Sequence, residues 1–306
     1  MTLDHAPVTR RALIAHNPTA RGAPTVERLR EAMARVEGWE LSLQATAGPG
    51  DATRLAREAA AAGLDAVVAS GGDGTVNEVA NGLAGSATAL AVVRGGTANV
   101  WAKEAGVPRK PADALRLLAG GDVRTVDLGR AGERYFLLMA GAGFDGAIVR
   151  ELTGGVKKRF GAASYILSGL RLALRYRASD VELSADAETL STRLYWLILG
   201  NTRNYGGVLN LAHMAKADDG RLELLVLQRG GVLRLGWLAF WALLKRHQRR
   251  AYVLHRSVTS VDLRTPGLPV QVDGEYLGET PMRFEVAPGA LRVVVPRRLR
   301  SSLFSR

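Results

Sequence analysis

The sequence predicts an N-terminal α/β domain, a parallel sheet with helices on both faces, followed by a β-rich C-terminal domain of the antiparallel, sandwich-like kind. Up to residue 129, apolar strand-like runs alternate with helical runs, which is typical of a parallel sheet. From there to residue 296, short strand-like runs are separated by turn signals. Basic and acidic residues balance up to Gly129, so the whole net charge of +12 arises later. We therefore place the domains at residues 8–129 and 130–296, and expect a tail, 297–306, that packs on the first domain.

The elements of the first domain follow in order along the chain. "RALIAHNP" predicts a strand that ends in a turn, and "WELSLQAT" predicts a second strand by its alternation. "LDAVVAS" is a continuous apolar run, as expected for a strand buried on both faces, and "TALAVV" follows as a fourth strand. We expect Asp51 to cap one of the helices. The predicted helices are Thr25–Val36, Ala52–Ala62, Val76–Leu83 and Pro111–Leu118.

The second domain reads as short strands with two helices and a hairpin-rich end. Asp273-Gly274 and Pro288-Gly289 are the turn signals of that end. The predicted strands are Tyr135–Ala140, Val181–Leu183, Leu194–Leu199 and Leu222–Leu227. The predicted helices are Ala162–Arg175 and Leu233–Arg249.

Composition excludes several classes of site. The chain has no cysteine, which excludes disulfides, thiolate metal sites and a cysteine nucleophile and fits a reducing cytoplasm. The N-terminus lacks an apolar core of the signal-peptide kind, and no apolar run is long enough to cross a bilayer. We expect a cytoplasmic protein. The basic second half indicates an anionic partner, although an arginine-rich composition alone also produces such a charge.

The glycine-rich stretch Ser70–Asn77 follows a buried strand, at the edge of a parallel sheet where α/β proteins bind ligands. Glycines let backbone N–H groups approach an anion, so phosphate is the natural guest. The stretch is not a Walker A loop, because the chain has no Gly-Lys pair, and not a dinucleotide fingerprint, because Asn77 replaces the third glycine. Asp73 would repel a bare phosphate and suits a Mg²⁺ ion, a hydroxyl or a water beside a nucleotide. A plain strand-to-helix turn with an Asp cap is the structural alternative.

Polar side chains follow the other predicted strands at the same edge of the sheet. Together with the glycine stretch they predict a nucleotide cleft. A second glycine pattern, Gly141, Gly143 and Gly146, lacks the acidic residue that a dinucleotide ribose requires, so we interpret it as backbone packing or substrate contact. The predicted nucleotide-binding residues are Asn17, Pro18, Thr19, Thr46, Gly71, Gly72, Asp73, Gly74, Thr75, Asn77 and Thr97.

An ordered set of motifs resembles one family. "HNPTA", "GGDGTVNEVANGL", "GGTAN", "VDLG", "MAGAGFDG", "KADDGRLEL" and "VDGE" occur in that order. The chain resembles the bacterial diacylglycerol kinase and sphingosine kinase-like lipid kinases, which share the diacylglycerol kinase catalytic domain, from Arg11 to about Pro296. The resemblance implies an ATP- and Mg²⁺-dependent kinase of phospholipid metabolism that phosphorylates a lipid hydroxyl and associates peripherally with the inner face of the membrane.

The resemblance also implies roles for individual acidic residues. Glu275 matches the family's general base, Asp273 belongs to its supporting network, and Asp127 matches an acid near the cleft. Asp273 and Glu275 are expected to face the same side, as residues two apart on a strand do. The plain alternative is a hairpin turn with Glu275 solvated.

A structural Mg²⁺ site is implied in "KADDGRLEL". Its ligands would be the carboxylate of Asp219 and the backbone carbonyls of Lys216 and Arg221, since hard oxygen ligands suit this ion. The plain alternative is an ordinary Asp-Gly turn.

The stretch "GWLAFWALLKRHQRR" mixes aromatic residues (Trp237, Phe240, Trp241) with basic ones (Lys245, Arg246, Arg249, Arg250). As a helix it suits a bilayer interface, and a core helix with a solvated basic end is the alternative. The expected partner is a lipid substrate at an anionic membrane surface. No nucleic-acid partner is expected, and the chain is compatible with a homodimer.

Two other functions stay open. An NAD kinase-like enzyme shares the glycine-aspartate motif, although the basic second half and "VDGE" favour the lipid kinase. A non-catalytic nucleotide- or lipid-sensing homologue stays open because Val100 stands where many family members have Asp, and Leu138 or Met139 where an Asn is common. Phosphate transfer from ATP would separate enzyme from sensor, and the labelled acceptor would separate the two kinases. Diacylglycerol, a sphingoid base and ceramide all remain candidate acceptors.

Overall fold

A computed structural model of the chain describes residues 9–153, 169–207, 209–298 and 301–305. Within these residues the chain forms two compact units. Unit 1 contains the chain up to Val126 together with residues from Gly289 to Ser301, and unit 2 contains Asp127–Pro288 together with the residues from Ser302 onward. The chain therefore returns to unit 1 at Gly289, eight residues before the predicted start of the tail at 297. The prediction that the tail packs on the first domain is wrong for its described residues from Ser302 onward, which belong to unit 2, where the N–H of Ser305 donates to Asp218.

Unit 1 is built on a parallel sheet, as predicted. Its strand order is β2-β1-β3-β4, and the end of β16 pairs in parallel with β4 through Arg292 and Val293. Strand β3 is buried along its whole length, which explains its continuous apolar sequence. The strands are β1 (Arg10–His16), β2 (Trp39–Ala45), β3 (Ala66–Gly71), β4 (Ala89–Arg94) and the part of β16 (Met282–Val295) from Gly289 onward.

The helices of unit 1 bury one apolar face each. Thr25 caps the first helix, and its side chain accepts from the N–H of Arg28. The predicted cap at Asp51 is wrong: Gly50 is the N-cap, and Asp51 is the first helical residue and accepts from the N–H of Ala47 instead. The helices are α1 (Val26–Met33), α2 (Asp51–Ala61), α3 (Asp73–Leu83), α4 (Val100–Glu104), α5 (Pro111–Leu115) and α6 (Leu117–Gly120).

Unit 2 consists mainly of antiparallel strands in two sheets, as predicted. One sheet has the order β12-β11-β10-β7-β14-β15. In the other, β13 lies between β8 and the first part of β16, and β8 pairs with β9. The remaining strands are β5 (Asp122–Ala131), β6 (Arg134–Phe136), β7 (Met139–Gly143), β8 (Ser179–Ala185), β9 (Glu188–Leu194), β10 (Trp196–Gly200), β11 (Leu222–Leu227), β12 (Val253–Val258), β13 (Ser260–Leu263), β14 (Pro269–Val272) and β15 (Glu275–Glu279).

The two sheets of unit 2 share one apolar core. Leu183 and Val261 of one sheet pack in the same cluster as Leu199, Leu224 and Val270 of the other, all fully buried. Alternation along β8, where every second side chain is buried, is the pattern of a sheet with one face on the core. Burial of both inner faces accounts for the sandwich arrangement.

The helices of unit 2 differ from the sequence prediction in their bounds. Helix α7 covers Phe144–Thr153, and helix α8 covers Val232–Leu243 rather than Leu233–Arg249. Helix α8 ends earlier than predicted because Lys245 has a left-handed φ of 54°. A short 3₁₀ helix follows at His247–Arg249. The predicted helix Ala162–Arg175 lies partly outside the described residues, and 169–175 of it are helical.

Two predicted features of the strands also change. The strand predicted over Tyr135–Ala140 is divided into β6 and β7, and Leu137 and Leu138 lie between them. Pro288-Gly289 is not a hairpin turn, because β16 continues through it, with Gly289 at a φ of 61°. Among the described residues, none of the helices combines the length and the apolar character that crossing a bilayer requires.

Candidate functional site

The carboxyl ends of the parallel strands of unit 1 bring the predicted loops together. The N–H of Asn17, after β1, donates to Ser70 O on β3 over 2.8 Å. The N–H of Thr46, after β2, donates to His16 O over 2.8 Å, and the N–H of Gly95, after β4, donates to Gly71 O over 2.8 Å. The four strand ends are thus tied to one another by backbone hydrogen bonds.

The loops after β3 and β4 touch backbone to backbone. A Cβ atom added to Gly96 would lie 2.6 Å from Gly72 Cα, and one added to Gly95 would lie 2.9 Å from Gly71 Cα. Both distances are shorter than any side chain tolerates. Gly95 and Gly96 are therefore needed for the contact, which leaves this part of the edge lined by bare backbone.

Asp73 joins the two glycine loops. Its Oδ1 accepts from the N–H of Val100 over 2.7 Å, at the start of α4. Burial raises the pKa of this carboxyl, and the backbone N–H groups of residues 99–101 and the charge of Lys103 oppose that rise. Asp73 therefore positions the loop after β4, in addition to any contact that it makes with a ligand.

Asn17 and Thr75 form a polar pair beside Asp73. Asn17 Nδ2 donates to Thr75 Oγ1 over 3.2 Å, while Asn17 Oδ1 accepts from the N–H and the hydroxyl of Thr19. Thr75 is buried against Gly71, where an added Cβ would lie 2.4 Å from Thr75 Oγ1. Among the other predicted residues, Pro18 and Thr97 are exposed, and Thr46, Gly72 and Gly74 are half-buried.

Asn77 differs from the other predicted nucleotide-binding residues. It is buried on α3, and its amide oxygen accepts from Asn81 Nδ2 over 3.1 Å. It thus makes a contact within the helix.

Two residues of unit 1 that the sequence did not single out position this edge. Asn99 has a left-handed φ of 48°, and its Oδ1 accepts from the N–H of Gly96 over 2.9 Å, which closes the loop after β4. Glu78 accepts from the N–H groups of Gly50 and Ala52, at the start of α2. Asn99 is the last residue of the "GGTAN" motif, so the sequence contained a signal for it. No periodicity or turn signal pointed to Glu78.

In unit 2, the carboxylate of Asp273 is held by three consecutive backbone N–H groups. Asp273 Oδ2 accepts from Leu137 over 2.8 Å, and Oδ1 accepts from Leu138 over 3.0 Å and Met139 over 2.8 Å. Asp273 has a φ of 46° and Gly274 one of 86°, so the pair forms the tight turn between β14 and β15. The predicted hairpin is present, and its first residue anchors the segment between β6 and β7.

Glu275 does not share the environment of Asp273. Glu275 begins β15, its side chain is 49% exposed, and its Oε2 lies 2.8 Å from Arg134 Nη2 in an ion pair. The strand alternation behind the expectation that the two carboxylates face the same side does not apply, because Asp273 and Gly274 form the turn and Glu275 is the first residue of β15. The structure therefore separates an anchoring carboxylate from an accessible one.

A buried hydrogen-bonded chain supports the hairpin from beneath, and the sequence did not reveal it. Asp145 is 1% exposed; Tyr205 donates to its Oδ1, and Gln271 Nε2 donates to its Oδ2 over 2.6 Å. Gln271 Oε1 in turn accepts from the N–H of Gly274 over 2.8 Å. This hydrogen-bonded chain thus ends at Gly274, one residue before Glu275.

The second glycine pattern is explained by packing. A Cβ on Gly141 would lie 2.1 Å from Asp145 Oδ2, and one on Gly146 would lie 2.1 Å from the carbonyl of Pro269. Gly143 has a left-handed φ of 81°. These contacts let α7 approach β14 closely, in agreement with the packing interpretation.

Asp127 lies in unit 2 and holds the "KADDG" loop. It is 4% exposed, its Oδ2 accepts from the N–H of Gly220 over 2.6 Å, and its N–H donates to Ala217 O. Asn201, which is fully buried, donates to the carbonyl oxygens of Asp127 and Leu137. Asp127 is therefore a buried partner of the loop that carries the predicted metal ligands.

Asp219 stands in an acidic environment. Partial burial raises the pKa of its carboxyl, the N–H of Arg221 opposes the rise, and the charges of Asp127, Glu223 and Asp218 add to it. A divalent cation would offset this repulsion, so the residues present fit the predicted ion. Lys216, whose carbonyl is another predicted ligand, is half-buried. In the part of the chain that the structure describes, no group of three or more His, Cys, Asp or Glu side chains could hold a metal ion, so backbone carbonyls would have to contribute ligands.

Comparisons with known proteins agree with these motifs. A family model described as the diacylglycerol kinase catalytic domain matches residues 11–131, and one described as the YegS C-terminal NAD kinase beta sandwich-like domain matches residues 139–295. A Pseudomonas putida protein named "Probable lipid kinase YegS-like" is 37% identical over 270 residues, 86% of this chain and 88% of that protein. A Bacillus subtilis protein named "Diacylglycerol kinase" is 30% identical over 294 residues, 94% of this chain and 97% of that protein.

The fold is also similar to a solved structure. The crystal structure of a diacylglycerol kinase from Bacillus anthracis has a TM-score of 0.74 with 25% sequence identity, and the match covers 94% of this chain and 97% of that one.

We predict that Asp273→Asn lowers the free energy of unfolding by about 1–3 kcal/mol, the usual cost of leaving a buried donor unsatisfied. Asparagine tolerates the left-handed turn but has one acceptor atom, so its NH₂ group would face an N–H of residues 137–139. Asp186→Asn is the matched control. Asp186 also has a left-handed φ, of 53°, but it accepts from Thr259 and Ser260 through Oδ1 alone. Urea denaturation measures both variants, and equal losses would contradict the anchoring role.

Proposed function

We propose, from the premise that this chain belongs to the diacylglycerol kinase and YegS-like family of lipid kinases, that it transfers the γ-phosphate of ATP to a hydroxyl group of a membrane lipid. The observation that carries the proposal is the contact between the two glycine loops of unit 1. It exposes bare backbone around Asp73 at the carboxyl edge of a parallel sheet, which suits the phosphates of a nucleotide.

The nucleotide would be held by unit 1. Backbone N–H groups of the glycine loops after β3 and β4 and the side chains of Asn17, Thr19 and Thr75 supply donors for phosphate oxygens. Asp73 would hold the Mg²⁺ ion that accompanies ATP, directly or through water. Because burial raises the pKa of Asp73, a nearby divalent cation would favour its ionised form. When bound, this ion supplies neutralisation of the charge that develops on the phosphates.

The acceptor would be activated by Glu275. One oxygen of its carboxylate takes the hydroxyl proton while the lipid oxygen bonds to the γ-phosphorus, and the bond from that phosphorus to the β,γ-bridging oxygen breaks to release ADP. Exposure supports this role, since the Glu275 side chain is 49% exposed, whereas both carboxylate oxygens of Asp273 already accept from backbone N–H groups. Arg134 and the chain from Asp145 through Gln271 keep the hairpin in position.

The loop at residues 216–221 would hold a second Mg²⁺ ion through Asp219 and the carbonyl oxygens of Lys216 and Arg221. The surrounding carboxylates of Asp127 and Asp218 favour a cation there. Asp218 also accepts from the N–H of Ser305 over 2.6 Å, so the loop is tied to the end of the chain. The role of this ion would be to hold the loop.

Helix α8 would face the membrane that contains the acceptor. Leu238 and Ala242 bury one side of it, while Leu233 is 82% exposed, Trp237 57% and Phe240 48%. The core-helix alternative leaves these large apolar side chains unexplained. An exposed apolar stripe next to a basic helix end is typical of interfacial helices.

We expect the protein to phosphorylate a lipid when it is incubated with ATP, Mg²⁺ and a total bacterial lipid extract. Mass spectrometry of the extract identifies the acceptor by the added phosphate. NAD, supplied in a parallel reaction, is the control acceptor. Formation of NADP without any phosphorylated lipid would refute the proposal, and so would the absence of transfer to either acceptor.

We predict that Glu275→Gln lowers kcat by about 10²–10⁴-fold, the usual contribution of a general base, while ATP affinity changes little. Glutamine keeps the shape of the side chain and cannot take the proton. Glu279→Gln is the matched control, because Glu279 lies on the same strand, is 44% exposed and pairs with Arg150. Its kcat should stay near the wild-type value. A Glu275→Gln variant that retains most of its kcat would assign the proton to another group.

We predict that Asp73→Asn lowers kcat by about 10²–10³-fold, the range for loss of one electrostatic contact in a preorganised site. Asparagine keeps the Oδ1 acceptor for the N–H of Val100, whereas Asp73→Ala would also release α4. The control is Asp113→Asn, which removes an exposed carboxylate from α5. Initial rates over a range of Mg²⁺ concentrations provide the measurement. Near-normal turnover of Asp73→Asn would remove Asp73 from the catalytic machinery.

A further inference from the structure

A basic cavity of about 550 Å³ lies at the start of helix α8 in unit 2. The segment 228–231, which follows β11, lines one side together with Arg234, and residues from 173–178 line another. Its charged and aromatic lining residues are Arg177, Arg193, Arg229, Arg234, Tyr176 and Tyr195. The roles proposed above for the nucleotide, the general base and the metal ligands use none of them.

The positive charge of the cavity is hardly neutralised by the protein. Among the described residues, Arg193 Nε lies 3.7 Å from Asp180, which is 92% exposed, so this ion pair is weak. The sequence has no Asp or Glu between Glu151 and Asp180, and none between Glu223 and Asp262. The lining segments 173–178 and 228–234 therefore contain basic residues and no acidic ones, and an anion from outside the protein would balance their charge.

The cavity wall is built with close contacts. A Cβ on Gly230 would lie 1.9 Å from the ring of Tyr195, so only glycine lets the backbone lie against this ring. The hydroxyl groups of Tyr176 and Tyr195 carry their protons at neutral pH, as tyrosines ordinarily do, and burial raises the pKa of both further, to about 12. Protonated hydroxyls and guanidinium groups are the donors that bind phosphate oxygens.

The surroundings of the cavity identify the kind of anion. Leu174, on its rim, is 75% exposed. Leu233, Trp237, Phe240 and Leu244 follow at helical spacing along one face of α8 and its end, each about half exposed or more. An anion-binding cavity beside such an apolar stripe matches an amphiphile whose phosphate lies next to its acyl chains.

We propose that the arginine cavity binds the phosphate-bearing headgroup of an anionic membrane phospholipid, a lipid distinct from the acceptor. The inference rests on the proposed function, because it assumes that α8 lies in the interface of the membrane that supplies the acceptor. Headgroup binding at Arg229 and Arg234 holds the start of α8 at the level of the phosphates. Binding to the membrane then depends on anionic phospholipid through a defined site, as well as through diffuse charge.

The test is vesicle sedimentation with the full chain, on phosphatidylcholine vesicles with and without phosphatidylglycerol. We expect Arg229→Gln/Arg234→Gln to lose about 30-fold of the affinity for phosphatidylglycerol vesicles, since each basic residue near an anionic surface contributes about fivefold. Arg264→Gln/Arg283→Gln is the charge-matched control, because both arginines are exposed surface residues of unit 2 outside the cavity. Unaltered far-UV circular dichroism and an unaltered denaturation midpoint show that the cavity variant folds.

A second variant separates a headgroup site from diffuse attraction. Arg229→Lys/Arg234→Lys keeps the charge and loses the two-pronged guanidinium contacts. A defined site predicts a clear loss of binding for this variant as well, and wild-type binding would overturn the proposal. Competition by soluble glycerol phosphate at concentrations below those of the vesicle lipid would also overturn it, because the cavity would then be a site for a free anion.

The result is separable from the proposed function because binding to vesicles requires no turnover. Leu233→Ala/Trp237→Ala tests the interfacial helix, and we expect it to weaken binding to both kinds of vesicle. If this variant binds like the wild type, the assumption about α8 fails, and the inference fails with it. If the wild type phosphorylates no lipid, the proposed kinase activity fails, while the vesicle measurements on the arginine variants stand on their own.

Discussion

A carboxylate that loses water must gain hydrogen-bond donors, and this constraint organises both units of the protein. Asp73 accepts from the start of α4, Asp127 from the loop at Gly220, and Asp273 from three consecutive N–H groups. In each case the donors belong to a segment far away in the sequence. The acidic residues that make the motifs recognisable are therefore clamps between loops, and a change at any of them alters position as well as charge.

Glu275 differs from these three carboxylates, because it pairs with Arg134. Its position beside Arg134 leaves the side chain half exposed, while its neighbour Asp273 is fixed to backbone N–H groups. A general base must be accessible to its substrate and able to gain a proton. A carboxylate that holds a loop through hydrogen bonds needs neither property. The hairpin carries a half-exposed and an anchored carboxylate within three residues, which fits the general base that we propose, and the buried hydrogen-bonded chain through Gln271 and Asp145 supports the hairpin.

The glycine loops and helix α8 each present a surface that the described residues of the protein do not cover. Gly72 and Gly96 touch because Gly96 has no side chain, and the contact leaves bare backbone where we propose that a phosphate binds. On α8, Leu233 and Trp237 stay exposed although the opposite side packs in unit 2. Both surfaces fit the function that we propose, the first as a site for the phosphates of a nucleotide and the second as a contact with the membrane.

The sequence by itself determined the parallel sheet with helices, the antiparallel second unit and the family, because periodicity and motifs are local properties. It also placed the glycine loop and the Asp273-Gly274 turn, where backbone conformation depends on residue type. It could not assign Asp51, whose carboxylate turns back to Ala47, or the end of α8 at a left-handed Lys245. Nor could it find Asp145, Gln271 or the arginine cavity, whose members are remote along the chain. Only the tertiary structure decided these, because which donor reaches which acceptor depends on how strands pair, and no local pattern encodes that.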